Sequence, residues 1–69
     1  MSDDAESQRI DVRAHAVRVF GNADRADRWL ERSNPRMPVG RTPAEVLETP
    51  GGAELVERVL GQIEHGIPP

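Results

Sequence analysis

Residues 9–20 read Arg-Ile-Asp-Val-Arg-Ala-His-Ala-Val-Arg-Val-Phe, and this stretch decides whether the chain is all-helical. Ile10, Val12, Ala14 and Ala16 alternate with Asp11, Arg13 and His15, which is the period of a half-buried strand. Ile10, Ala14, Val17 and Phe20 also fall on one face of a helix. The Ala and Arg content favours helix. No second strand-like run exists to satisfy the backbone groups of a lone strand. The stretch is therefore read as a helix, with Ile10, Ala14, Val17 and Phe20 facing the core and Gly21 ending it.

Outward from this helix the same logic predicts three more. Asn22 is placed to cap a helix over residues 23–32, with Ala26, Trp29 and Leu30 as its apolar stripe. Trp29 is expected in the core of a chain with so few aromatic residues. Ser33-Asn34-Pro35 stops that helix, because a residue before proline avoids the helical region. Thr42-Pro43-Ala44-Glu45 combines capping-box spacing with proline at the first helical position and predicts a short helix to about Glu48. Thr49-Pro50 repeats the cap-and-proline start. The helix it opens should run to about Glu64, with His65 and Gly66 closing it.

That last helix carries a broad stripe of Leu55, Val56, Val59, Leu60 and Ile63. Val56, Leu60 and Ile63 are expected in the core, and Leu55 and Val59 at an exposed edge. Gly61 within it marks either a close backbone approach or a tolerated cost of ~1 kcal/mol. Ile67-Pro68-Pro69 must leave the helix as a short extended tail. At the other end, residues 1–8 are polar and acidic and are expected to be a flexible lead-in. The expected fold is thus all-α: a small bundle of about four helices, the last one longest, in a single domain over residues 9–69.

Bulk properties narrow the function. Sixty-nine residues suffice for one small domain, which buries only ~60% of the surface that its unfolded chain exposes. No cysteine is present, so thiolate catalysis, thiolate metal sites and disulfides are excluded. His15 and His65 lack metal-ligand spacing and are read as surface histidines. Ser2, Ser7 and Ser33 lie outside any nucleophile-elbow pattern. Glu54, Glu57 and Glu64 fit a solvated face, and Gly51-Gly52 lacks the spacing of a phosphate-binding loop. The chain is accordingly read as a non-enzyme without cofactors.

A net charge of −3 disfavours binding to phosphate backbones. On residues 23–32, Arg25, Arg28 and Arg32 interleave with Asp24, Asp27 and Glu31, the pattern of a salt-bridged surface helix rather than a DNA-reading one. No apolar run approaches the ~20 residues that span a bilayer, and residues 1–8 do not resemble a signal peptide. The expected location is the cytoplasm.

From Val19 onward an ordered series appears: Val19-Phe20-Gly21, Ala26, Trp29-Leu30, Asn34-Pro35 and Gly40-Arg41-x-Pro43. Leu47, Thr49-Pro50, Gly52, Val56, Leu60 and Ile63-x-x-Gly66 follow without a gap. This series resembles the toxin-binding domain of Xre/MbcA/ParS-type antitoxins. The resemblance implies a type II toxin–antitoxin role with a RES-domain, NAD-consuming toxin as partner. It further implies that the last helix and tail cover the toxin's active site. The segment it points to is residues 63–69, with Ile63, Glu64, Gly66, Ile67, Pro68 and Pro69 as candidate contacts. Arg41, in a Pro/Gly-bounded loop just before a helix start, and Leu55 and Val59, at the edge of the last helix's stripe, are added as candidates from the residues themselves. Members of that family usually carry an N-terminal helix-turn-helix region, for which residues 1–20 are too few, so DNA binding is not expected of this chain. A second copy within the assembly is a further expected partner. The alternative reading is a helical dimerisation or interaction module of a transcriptional regulator.

Overall fold

The computed structural model describes the backbone of residues 2–66 and the side chains of residues 6–66. Its helices are α1 (Ser2–Phe20), α2 (Ala23–Glu31), α3 (Pro43–Leu47) and α4 (Gly52–Glu64), with a short 3₁₀ turn at Pro38–Gly40. The all-helical expectation holds. Two details differ. α1 starts at Ser2 rather than near Arg9, and its 19 residues make it longer than the 13 of α4. The expected extended tail, residues 67–69, lies outside the described residues.

The face of α1 is also corrected. Val12 and Ala16 are buried, whereas Ala14 is exposed and Ile10 is 62% exposed. With half-buried His15 and Val19 they follow the three-and-four spacing of one helical stripe. α1 packs against both α2 and α4, and the small Ala16 side chain at the centre of that stripe lets the neighbouring helices approach.

α2 follows its sequence signals. The Asn22 side chain accepts a hydrogen bond from the Arg25 N–H at 2.8 Å, and Ala26 and Leu30 are buried. Trp29 is half-buried rather than fully enclosed, with its ring 5.6 Å from that of Phe20. Arg13 of α1 holds Asp27 of α2 with two guanidinium nitrogens, at 3.0 and 3.2 Å, an exposed pair that bridges the two helices.

The capping box of α3 is present in full. Thr42 Oγ1 accepts from the Glu45 N–H at 3.1 Å, and Glu45 Oε1 accepts from the Thr42 N–H at 2.9 Å. Thr49-Pro50, however, does not open α4. The Thr49 hydroxyl turns back to donate to the Val46 carbonyl at 2.7 Å, and left-handed Gly51 precedes the helix instead. Gly52 then lies so close to α3 that a Cβ there would stand 1.7 Å from the Val46 carbonyl oxygen. The close approach is at Gly52 and not at Gly61, where an added Cβ meets nothing within 4 Å.

The core gathers Val12, Ala16, Ala26, Leu30, Val46, Val56, Val59 and Leu60 from the helices, and Met37 from the α2–α3 loop. Among the described residues no helix is long and apolar enough to cross a membrane.

Candidate partner-binding surface

The loop between α2 and α3 is braced from within. The Asn34 N–H donates to the Arg41 carbonyl at 3.2 Å, and the Met37 N–H donates to the Asn34 carbonyl at 2.9 Å. Asn34 Oδ1 accepts from the Arg36 N–H at 2.9 Å, an Asx-type turn. Buried Met37 anchors the loop to the core. Its tip closes with the Arg41 N–H donating to the Pro38 carbonyl at 3.1 Å. Both residues inside that turn, Val39 and Gly40, have positive φ, of 54° and 65°. This is the pattern of a type I′ turn.

Behind the tip lies a shallow groove of about 290 Å³, walled by Pro38, Val39 and Arg41 on one side and by Thr49, Pro50 and Leu55 on the other. Arg41 and Leu55, singled out from the sequence, therefore meet at one place. Arg41 is exposed and Leu55 half-buried. Among the described residues the exposed large apolar side chains are Ile10 and Val39, and Val39 stands at the groove with 95% exposure. Nothing in the sequence marked Val39, because valine carries no turn signal.

Val59 does not join this surface. It is 4% exposed and belongs to the core, which corrects its expected place at an exposed edge. Ile63, expected in the core, is only half-buried and packs on the core's margin. The two residues exchange roles because the buried arc of α4 centres on Val56, Val59 and Leu60. At the end of the helix His65 is the capping residue and Gly66 takes a left-handed φ of 67°. The Gly66 N–H donates to the Ile63 carbonyl at 3.2 Å, so the chain turns out of the helix at Gly66 as the sequence implied. Ile67, Pro68 and Pro69 lie outside the described residues.

Glu64 is already engaged. His15 of α1 sits between two carboxylates of α4, its Nδ1 on Glu57 and its Nε2 3.0 Å from Glu64. The His15 side chain is 13% exposed, so it is a packing and pairing residue rather than a surface histidine. Burial pulls its pKa down, but the hydrogen bonds and charges of Glu57 and Glu64 outweigh that and hold it above the ordinary value. With both ring nitrogens occupied, it is not free to act on a substrate.

Two other depressions are present. One of about 570 Å³ lies between α1 and α4, with Val12 and Ala53 on its floor and Asp11, Glu54, Glu57 and Arg58 around it. The other, about 270 Å³, is formed by Phe20, Trp29, Arg25, Arg28 and Arg32. Folding separates the charges of α2 that interleave in sequence: Asp27 goes to Arg13, and the three arginines share one stripe with Trp29.

A family described as the antitoxin Xre/MbcA/ParS C-terminal toxin-binding domain matches residues 15–66, which include the groove, the loop and all of α4. The chain belongs to this family. An Antitoxin Xre of Photorhabdus laumondii is 44% identical over 68 residues, covering 90% of this chain and 45% of the relative. An Antitoxin Xre of Pseudomonas putida is 42% identical over 65 residues, covering 88% of this chain and 40% of the relative. The chain thus spans less than half the length of these curated relatives. No solved structure matches it. The Xre/MbcA/ParS membership agrees with the resemblance read from Val19 to Gly66.

Proposed function

We propose that this chain neutralises the toxin of a type II toxin–antitoxin pair in the cytoplasm. Its partner is a RES-domain toxin that consumes NAD, and inhibition comes from covering that toxin's active site. The observation that supports this most is the gathering of Val39, Arg41 and Leu55 around one groove within the stretch matched by a toxin-binding family. An exposed apolar tip beside an arginine is the composition of an interface anchor with a polar rim.

The end of α4 supplies the second half of the mechanism. Left-handed Gly66 releases the chain from the helix, and Ile67, Pro68 and Pro69 would continue into the toxin's cleft. Two prolines favour an extended tail, which lowers the entropy lost on insertion. Glu64, exposed and held ionised by His15, would meet a basic group that otherwise holds the dinucleotide's phosphates.

The test uses a purified RES-domain toxin, with NAD consumption as readout. The chain should abolish consumption, and Arg41→Glu should weaken inhibition. Deletion of residues 67–69 should restore NAD consumption even where binding persists. Full inhibition by the deleted chain removes the tail from the mechanism and leaves docking through the groove.

A further inference from the structure

Val39 is held in a backbone conformation that valine avoids. Its φ of 54° and ψ of 35° are left-handed, a region that Gly, Asn and Asp enter readily and β-branched residues almost never. Its side chain gains nothing in return from the fold, being 95% exposed. Strain together with exposure is the opposite of what stability alone would select. The same loop leaves Arg36 Nη1 buried with no hydrogen-bond partner among the described residues, a second unfavourable feature.

The loop is nevertheless rigidly built. Hydrogen bonds close it at its base and at its tip, and Met37 pins it to the core. A flexible loop would relax Val39 out of the left-handed region, whereas this one holds the side chain outward beside Arg41 and Leu55.

We propose that Val39 is a preorganised apolar knob that inserts into an apolar pocket on the toxin, so that the type I′ turn serves toxin recognition rather than the stability of this domain. This rests on the toxin-binding reading of the chain. The strain is present before the complex forms, so no ordering of the loop opposes association. Arg41, next but one in sequence, would pair with a carboxylate at the rim of the same pocket and fix its register.

The test separates stability from recognition because the two should move in opposite directions. Val39→Asn puts a residue that tolerates the left-handed region at the turn and removes the apolar knob. It should raise the urea midpoint of the free chain and weaken binding to the purified toxin by about tenfold or more. Val39→Met keeps an apolar side chain there and should retain most of the affinity. Val39→Asn binding as tightly as the parent chain would overturn the knob while leaving the toxin-binding reading intact. Failure of the parent chain itself to bind the toxin would overturn both.

Discussion

His15 and Glu64 stand 3.0 Å apart, tying the second half of α1 to the last residue of α4. Glu57, two turns earlier on α4, takes the other ring nitrogen. A neutral imidazole has a single N–H and can donate to only one carboxylate, while the protonated ring donates to both. The clasp therefore fixes the protonated form.

This sets a pH dependence with a definite sign. The His15 pKa is raised on folding, so its contribution is complete below the unfolded value of about 6.5 and is lost as pH rises through the folded value. The Glu64 pKa is lowered, chiefly by its hydrogen bond from His15, with the charges of His15, His65 and Arg18 adding to it. Its contribution is lost as pH falls through the carboxylate range. The clasp should be strongest in the mildly acidic window between the two. Urea midpoints of the parent chain and His15→Gln, taken from pH 5 to 9, should converge as pH rises. A gap that stays constant or widens across that range would contradict the clasp.

The two glycines of α4 should respond in opposite ways to the same substitution. Gly52→Ala drives a Cβ into the Val46 carbonyl. Since backbone is the obstacle, α4 must shift from α3, at a cost of about 3 kcal/mol. At Gly61 the added methyl meets open space, and helix propensity alone should stabilise the chain by about 1 kcal/mol. Thermal melts of both variants check this, with the midpoint expected to fall for Gly52→Ala and to rise by about 4–8 °C for Gly61→Ala. An unchanged midpoint for Gly52→Ala would show that α3 and α4 are not in contact as described.

The reciprocal cap of Thr42 and Glu45 anchors the helix that follows the groove loop. Thr42→Ala leaves the Glu45 N–H without its acceptor and should lower stability by about 1 kcal/mol. Thr42→Ser keeps the oxygen and should recover most of the loss, which denaturant titration of the two variants would show.

Much of the fold was legible because its signals are local. Asn22, the Thr42–Glu45 box and Gly66 each act within a few residues, and each ends or starts its helix where the sequence places it. The misread features depend on neighbours. Ile10 and Val12 are both apolar on α1, and only packing against α2 and α4 buries Val12 and leaves Ile10 exposed. Thr49-Pro50 has the local form of a helix start, yet the Val46 carbonyl captures the Thr49 hydroxyl. The exchange of Val59 with Ile63 depends on how α4 is rotated against the core.

The candidate surface divides in the same way. Arg41 was marked by its loop before a helix start and Leu55 by its place at the edge of an apolar stripe, but their meeting across a groove requires α3 and α4 to fold together. Val39 had no signal at all, since its importance lies in a backbone angle. The pairing of His15 had only a faint one, the seven-residue spacing of Glu57 and Glu64 on one helical face.

The most direct measurement is NAD consumption by the proposed partner, a purified RES-domain toxin, followed while this chain is titrated in. Consumption should fall to zero at a fixed molar ratio of chain to toxin, and Arg41→Glu should require a clear excess to reach the same point. Consumption that continues unchanged at saturating chain would contradict toxin neutralisation outright.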